Sequence, residues 1–235
     1  MLFRSIIIPT LNENDNINYL FKLIVKKFKI PILFIDDNSK DGTQEKILRL
    51  SKKSNLIKYI FRKRRYGIGS AHKEGIRWAY KNKFNVCFTM DADRTHNPFE
   101  INKMLKILKK NNAHVIITSR FIKKSSLKDW PIFRKIITKI RYHLVKIILN
   151  THLDSSGGFR CYNISKIKKK DLFLAGNNGY FFLIESLFYL EKLNYKIIEI
   201  HSNLKYRSSG QSKMRLVDIL SALVNLFKLS FFNKI

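Results

Sequence analysis

The stretch VCFTMDADRTHNP, residues 86–98, decides the fold class of this chain. A short hydrophobic run ends abruptly in Asp91, Ala92 and Asp93, and polar and basic residues follow at once. Such a run is typical of a buried β-strand. Carboxylates directly after a buried strand are either solvated turn residues or ligands of a cation, and this stretch alone leaves both interpretations open.

The same pattern recurs through the first half of the chain. Strand-like runs end in SIIIPT, LFID, KYIF and VIITS, and segments with apolar residues at helical spacing separate them. This alternation predicts an α/β fold with a mostly parallel sheet flanked by helices, through about residue 121. In such folds, functional loops lie beyond the carboxyl ends of the strands. The loops in question are PTLNEN, DDNSKDG, DADRTHNP and SRF.

The composition adds a strong positive charge. The 235 residues include 46 Lys and Arg against 17 Asp and Glu, a net charge of +29, and 45% are hydrophobic. This hydrophobic content argues against a disordered chain, and the length suits one domain. The charge predicts an anionic partner, which is a nucleic acid, a lipid headgroup surface or a phosphorylated substrate.

The sequence also indicates a cellular environment. The two cysteines, Cys87 and Cys161, have no metal-ligand spacing, which favours a reducing compartment. We find no signal-peptide pattern and no run of about 18 uncharged apolar residues, so the sequence predicts no membrane-spanning helix.

Asp91 and Asp93 are the candidate metal ligands. Alternate residues of a strand face opposite sides, but at a strand end the chain turns, so both side chains can converge on one ion. Mg²⁺ and Mn²⁺ prefer oxygen ligands, and Mg²⁺ is usually shared between carboxylates and the phosphates of a substrate. A DxD pair alone is weak evidence, and its position on the predicted functional edge strengthens it.

Other strand-end residues have two interpretations each. Asp37 is either part of a capped turn or a carboxylate that binds the base or ribose of a nucleotide. Glu13 either caps a helix or contacts a nucleotide. Gly67 and Gly69 form a GxG that fits a tight strand-to-helix turn better than a phosphate site.

Two basic segments rich in Gly and Ser follow. DSSGGFRCY, residues 154–162, surrounds Arg160, and KYRSSGQSKM, residues 205–214, carries Arg207 and Lys213. Cations on such a loop suit a lid that closes over phosphates. The alternative is a basic surface loop in an already basic protein.

Two further segments are amphipathic or apolar. Residues about 130–149 combine apolar residues at helical spacing with Arg and Lys, which predicts a basic amphipathic helix. Residues 215–235 are strongly apolar and predict a C-terminal helix. Both helices suit a membrane surface, and packing on the domain's own core is the alternative.

The order and spacing of these motifs resemble glycosyltransferase family 2 enzymes of the dolichyl-phosphate or polyprenyl-phosphate mannosyltransferase type. The resemblance spans about residues 4–228 and rests on SIIIPTLNEN, FIDDNSKDGT, YGIGSAHKEGIRWA, MDADRTHNP, SRF, DSSGGFRCY, GYFFLIE and YRSSGQSKM. It implies a GT-A type nucleotide-sugar-binding domain over residues 1–214, followed by the apolar helix of residues 215–235. It also implies a metal-dependent transfer, with inversion, of mannose from GDP-mannose to a polyprenyl (dolichyl) monophosphate.

The resemblance implies a donor site. Pro9, Leu11 and Glu13 would line the nucleotide pocket, although the family often has Tyr at the position of Leu11. Ile35 and Asp37 would contact the base.

The resemblance also implies a metal and phosphate site. Asp91, Ala92 and Asp93 would hold Mg²⁺ or Mn²⁺ and the donor diphosphate, and Asp91, Asp93 and Arg207 would be the catalytic residues.

Arginine and lysine residues complete the implied site. Arg120, Arg207 and Lys213 would neutralise phosphates of the donor. Arg120, Arg134 and Arg207 would bind the acceptor phosphate.

A lipid acceptor implies a location at a membrane surface, and we expect a cytoplasmic protein that is peripheral on the inner face of the membrane. One alternative is a family 2 enzyme with another donor, such as UDP-glucose. A second alternative is a non-catalytic basic protein that binds membranes or nucleic acid. We expect no nucleic-acid partner, because zinc-finger spacing and RNP-like aromatic motifs are both missing from the sequence.

Overall fold

The computed structural model describes residues 3–25, 28–127, 130–202 and 216–231. Within these residues a seven-stranded sheet has the order β3-β2-β1-β4-β6-β5-β7. Its strands are β1 (Arg4–Thr10), β2 (Ile32–Asp36), β3 (Ile57–Phe61), β4 (Val86–Thr89), β5 (Val115–Ser119), β6 (Arg160–Tyr162) and β7 (Ile197–His201). Neighbours pair in parallel, except that β6 runs antiparallel between β4 and β5. The predicted mostly parallel sheet is therefore confirmed.

Helices cover both faces of the sheet. They are α1 (Asn14–Leu20), α2 (Thr43–Lys53), α3 (Ile68–Lys81), α4 (Glu100–Lys110), α5 (Ile132–Leu149), α6 (Lys169–Leu172), α7 (Phe182–Lys192) and α8 (Leu216–Phe231). A π-helical turn, Phe21–Val25, continues α1, and a 3₁₀ turn covers Lys124–Leu127. The predicted basic helix at about 130–149 corresponds to α5, which ends where Asn150 adopts a left-handed conformation.

The core has two layers because successive strand residues face opposite sides of the sheet. Ile6 and Ile8 of β1 pack in one layer, with apolar residues of α1, α2 and α4. Ile7 packs in the other layer, with residues of α3, α6 and α7. The strands β1, β2, β4 and β5 are almost fully buried on both faces, which explains why they appear in the sequence as continuous hydrophobic runs.

A third apolar cluster joins α5, α7 and α8. It consists of Val145, Leu149, Phe181, Ile184, Phe188, Leu226 and Leu229. The C-terminal helix therefore packs on the domain through one of its faces. The predicted domain boundary at residues 214 and 215 lies outside the described residues. Of the helices described here, none is long and apolar enough to cross a membrane.

We expect Gly75→Ala to destabilise the fold, because α3 lies very close to β1 and β2 at this glycine. A Cβ atom there would lie 2.4 Å from Ile7 Cγ2 and 3.0 Å from Ile35 Cδ1. Overpacking costs about 1–3 kcal/mol, and alanine returns about 1 kcal/mol of helix propensity. We therefore expect the free energy of unfolding to fall by up to about 2 kcal/mol in urea titrations.

Gly176→Ala is the matched control for this experiment. A Cβ atom at Gly176 would meet no atom within 4 Å, so this variant should keep the stability of the unaltered protein. Equal stability of the two variants would contradict the tight packing of α3 on the sheet.

Candidate active site

A cavity of about 510 Å³ opens at the carboxyl ends of β1, β2 and β4. This volume is within the range of small-molecule sites. The cavity is lined by Pro9, Thr10, Leu11, Glu13, Asp37, Arg62, Arg65, Tyr66, Gly67, Ile68, Ala71, Asp91, Ala92, Asp93, Asn178, Gly179, Tyr180 and Asp218. The structure thus brings together seven of the predicted binding-site residues, which are Pro9, Leu11, Glu13, Asp37, Asp91, Ala92 and Asp93.

Asp91 and Asp93 reach this cavity from the turn after β4. Asp93 is buried, and its Oδ1 accepts hydrogen bonds from the backbone N–H of Thr95 at 3.1 Å and from its hydroxyl at 2.6 Å. Arg94, between Asp93 and Thr95, has a left-handed φ of 63°. The chain therefore turns sharply directly after Asp93, and both carboxylates line one cavity instead of opposite faces of a strand.

Asp91 is held from two sides. Its side chain is 34% exposed, and its Oδ2 lies 3.0 Å from Nε2 of the buried His96. Burial alone lowers the pKa of His96, but the hydrogen bond to Asp91 and the nearby carboxylates raise it above its usual value. On the other side, a Cβ atom at Gly158 would lie 2.7 Å from Asp91 Oδ1. Only glycine leaves the Asp91 carboxylate in its present place.

The two carboxylates suit a divalent cation. Among the described residues, no group of three or more His, Cys, Asp or Glu side chains is placed to hold a metal. Mg²⁺ is usually bound by one or two carboxylates and completes its shell with water and substrate phosphates. Asp91 and Asp93 therefore fit an ion whose remaining ligands come from a bound diphosphate.

Asp37 builds a wall of the cavity. Its Oδ1 lies 2.7 Å from the Arg62 guanidinium and accepts the N–H of Tyr66 at 2.9 Å, while its Oδ2 accepts the N–H of Gly67 at 2.8 Å. The carboxylate thereby holds the loop of residues 62–67, which places Arg65 and Tyr66 on the cavity wall. Of this loop, only Gly67 was considered from the sequence, and Arg62, Arg65 and Tyr66 were not predicted, although RKRRYG directly follows β3.

Gly67 brings the loop of residues 62–67 into close contact with the loop that contains Asn178. Its φ is 97°, and a Cβ atom there would lie 2.4 Å from the carbonyl oxygen of Asn178. The same oxygen accepts the N–H of Ser70 at 3.1 Å. The GxG therefore forms a tight turn against the Asn178 loop, as the first of the two sequence interpretations predicted.

Glu13 lies in the cavity, whereas Ile35, which was also predicted to bind the donor, lies in the core. Glu13 lines the cavity, and its Oε2 accepts a hydrogen bond from the Asn16 side chain at 2.6 Å. Glu13 is the N-cap residue of α1, and its side chain makes no capping hydrogen bond to the helix backbone. Ile35 is fully buried between the sheet and α3, beside Gly75, so its side chain is separated from the cavity.

The predicted acceptor-site arginines form a separate basic cluster. Arg120 is buried and binds Asp154 with both its backbone N–H and its guanidinium. Burial lowers the pKa of Arg120, and the Asp154 carboxylate raises it above its usual value. Arg134 lies over the Trp130 ring, 4.5 Å from its centre. Neither arginine lines the cavity.

Arg141 is a third member that the sequence analysis missed. Burial, together with the positive charges of Arg120 and Arg134, lowers its pKa to about 10. Within the part of the chain that the structure describes, its buried Nε has no hydrogen-bond partner. Arg134 and Arg141 are two turns apart on α5 and therefore lie on the same face of the helix. This spacing is the sequence feature that could have identified Arg141. Two predicted residues, Arg207 and Lys213, lie outside the described residues.

A mostly parallel sheet with a ligand-sized cavity at its carboxyl edge, and two carboxylates after a central strand, defines the class of nucleotide-sugar transferases with a GT-A type fold. The sequence profile described as glycosyl transferase family 2 matches residues 5–170. The chain belongs to this family and is a glycosyltransferase.

Relatives at moderate identity extend over most of the chain. It is 28% identical to an undecaprenyl-phosphate mannosyltransferase of Micrococcus luteus over 94% of its length, and it covers 90% of that protein. It is 32% identical to a dolichol-phosphate mannosyltransferase of Pyrococcus furiosus over 96% of its length, and it covers 63% of that protein. The predicted resemblance to polyprenyl-phosphate mannosyltransferases is confirmed.

Solved structures show the same fold. The chain aligns over 99% of its length with 75% of the mannosyl-3-phosphoglycerate synthase from Rubrobacter xylanophilus, with a TM-score of 0.65 and 15% identity. It aligns over 88% of its length with 58% of the mannosyltransferase PcManGT from Pyrobaculum calidifontis in complex with GDP-Man and Mn²⁺, with a TM-score of 0.53 and 14% identity. The predicted GT-A fold is confirmed.

Gly158→Ala should reduce sugar transfer without unfolding the protein, because the added methyl group displaces the Asp91 carboxylate. Displacement of a catalytic group by about 1 Å can cost about 100-fold in rate. We expect a loss of about 10- to 100-fold in kcat/KM, with an unchanged circular dichroism spectrum. Gly157→Ala is the control, because its Cβ atom would make an ordinary 3.4 Å contact with the Thr118 carbonyl oxygen. Equal activity of both variants would refute the close contact at Asp91.

Proposed function

We propose that this protein transfers mannose from GDP-mannose, with inversion, to a polyprenyl (dolichyl) monophosphate, in a reaction that requires Mg²⁺ or Mn²⁺. The observation that carries the proposal is that Asp91 and Asp93 share one cavity with the Arg62–Asp37 loop wall. The names of the relatives, which are polyprenyl-phosphate mannosyltransferases, support the choice of sugar and acceptor.

The donor would bind across the cavity. The loop of residues 62–67, held by Asp37, would contact the nucleoside, and Pro9, Leu11 and Glu13 would line the pocket beside it. Asp91 and Asp93 would hold the divalent cation, which when bound supplies positive charge to the donor diphosphate. Thr95 keeps the Asp93 carboxylate in place through two hydrogen bonds.

The reaction breaks the bond between the anomeric carbon and the diphosphate, and an oxygen of the acceptor phosphate forms the new bond from the opposite side. Negative charge grows on the leaving diphosphate, so groups that stabilise it lower the barrier. The acceptor phosphate is already ionised near neutral pH and needs no strong general base. Burial lowers the pKa of His72, behind Asp91, to about 4, so this histidine is neutral there and fits a structural role.

The acceptor phosphate would bind at the basic cluster of Arg120, Arg134 and Arg141. Asp154 is bound to Arg120, while burial and the positive charges of Arg120 and Arg134 lower the pKa of Arg141. The negative charge of a phosphate would be attracted by these arginines, and an arginine can bind a phosphate through two parallel hydrogen bonds. Arg207 and Lys213, which lie outside the described residues, would add charge to the donor and acceptor phosphates.

The lipid part of the acceptor requires a bilayer close to the site. The exposed apolar residues of α5 and α8 form what we call the membrane-facing surface. It consists of Ile132, Phe133, Ile136, Ile137, Ile140, Leu144, Ile147, Val217, Ile219, Leu220, Leu223, Val224, Phe227 and Phe231. Exposed apolar residues beside Lys and Arg are typical of helices that lie in a membrane interface. We place this surface on the cytoplasmic, inner face of the membrane.

An assay of the purified protein with GDP-mannose or UDP-glucose, a polyprenyl phosphate and Mn²⁺ tests the function. We expect mannosyl transfer that stops when the metal is chelated. In Asp91→Asn and Asp93→Asn, transfer should fall by about 100-fold or more, because charge stabilisation in the transition state is lost.

Glu45→Gln removes an exposed carboxylate of α2 and should leave transfer unchanged. Full activity of either aspartate variant would refute the metal site. Transfer from UDP-glucose alone would show that UDP-glucose, and not GDP-mannose, is the donor.

Sedimentation with anionic vesicles tests the membrane-facing surface. Phe133, which is 75% exposed, is the residue to change. We expect Phe133→Asp to weaken binding by about tenfold, because it removes an apolar anchor and adds a charge that anionic lipids repel. Binding of the unaltered protein should weaken as salt rises, since part of it is electrostatic.

Leu174→Asp, on the loop after α6, changes an exposed apolar residue outside this surface and serves as the control. Equal binding by both variants would show that the surface does not contact lipid.

A further inference from the structure

One residue of the C-terminal helix reaches the donor cavity. Asp218, in the first turn of α8, is half-buried and lines the same cavity as Asp91 and Asp93. It lies beyond residue 170, where the match to the family profile ends. The sequence predicts only packing or a membrane surface for this helix, so a side chain in the cavity is unexpected.

The position of Asp218 is determined by packing further along the helix. Leu226 and Leu229 of α8 are buried against α5 and α7. A helix is stiff over this length, so contacts in its later turns orient its first turn. Asp218 is therefore presented to the cavity by a folded element that packs on the domain.

The chemistry of the cavity restricts what Asp218 can bind. Across the described part of the chain, no group of three or more His, Cys, Asp or Glu side chains is placed to hold a metal, so Asp218 does not join Asp91 and Asp93 in such a group. A carboxylate repels the donor diphosphate. The hydroxyl groups of a sugar, in contrast, donate hydrogen bonds, and a carboxylate accepts them more strongly than a neutral oxygen does.

We propose that Asp218 accepts a hydrogen bond from a hydroxyl group of the transferred sugar, so that α8 completes the donor site. This inference rests on the proposed function. Asp218 then contributes to binding of the sugar and not of the nucleotide. The helix that provides it also carries part of the membrane-facing surface, which places the sugar end of the donor next to the lipid acceptor.

Calorimetric titrations with GDP and with GDP-mannose, both with Mn²⁺, test this inference. We expect Asp218→Asn and Asp218→Ala to leave the Kd for GDP within about twofold and to weaken GDP-mannose binding by about tenfold, the effect of a lost hydrogen bond to a charged group. In the transfer assay, the KM for GDP-mannose should rise.

Lys228→Gln changes the charge of the same helix by one unit at an exposed position and should alter neither affinity. If the Asp218 variants weakened GDP and GDP-mannose equally, the residue would contact the nucleotide or only support the fold, and the inference would be wrong. Unchanged binding of both would also overturn it.

The same titrations separate the inference from the proposed function. Selective loss of GDP-mannose binding, in a protein that does not transfer mannose to polyprenyl phosphate, would support the role of Asp218 and overturn the acceptor. If the unaltered protein bound neither GDP nor GDP-mannose, the donor would be wrong and the inference would be overturned with it.

Discussion

The contact between the Asp91 carboxylate and Gly158 is the constraint on which the candidate site depends. It exists because β6 runs antiparallel between β4 and β5, and Thr89 donates a hydrogen bond to the Gly158 carbonyl oxygen at 2.7 Å. With His96 on its other side, Asp91 keeps one orientation in the cavity. A pre-positioned carboxylate binds a cation without rearrangement, which is the condition for electrostatic stabilisation of a leaving group.

The excess of positive charge is used inside the protein as well as on its surface. Arg160 is fully buried, and it donates hydrogen bonds to the backbone oxygens of Gly157, Ser155 and Leu183 and to the hydroxyls of Tyr162 and Ser186. It therefore joins the loop before β6 to α7. Arg62 is also buried, and its ion pair with Asp37 joins the start of the loop of residues 62–67 to the end of β2. Buried arginines thus hold the loops that line the site, while exposed lysines and arginines remain available for an anionic membrane.

Sequence patterns predicted the parallel sheet and the DxD turn because both depend on neighbours in the chain. A continuous hydrophobic run specifies a strand buried on both faces, and strand direction places its final carboxylates at one edge. Asp37 illustrates the partial success. Its place at that edge follows from the sequence, but its hydrogen bonds to the loop of residues 62–67 depend on pairing between β2 and β3. Ile35 lies within β2, and its side chain packs in the core against α3 beside Gly75.

The amino-acid sequence by itself determined the fold class, the order of strands and helices through about residue 121, and the carboxylates that end β4, because hydrophobic periodicity and turn chemistry are local properties. Only the tertiary structure decided that β6 inserts antiparallel, that Arg141 joins Arg120 and Arg134, and that Asp218 reaches the donor cavity. Each of these depends on contacts between segments far apart in the chain, and such contacts arise only when helices and strands pack into one core.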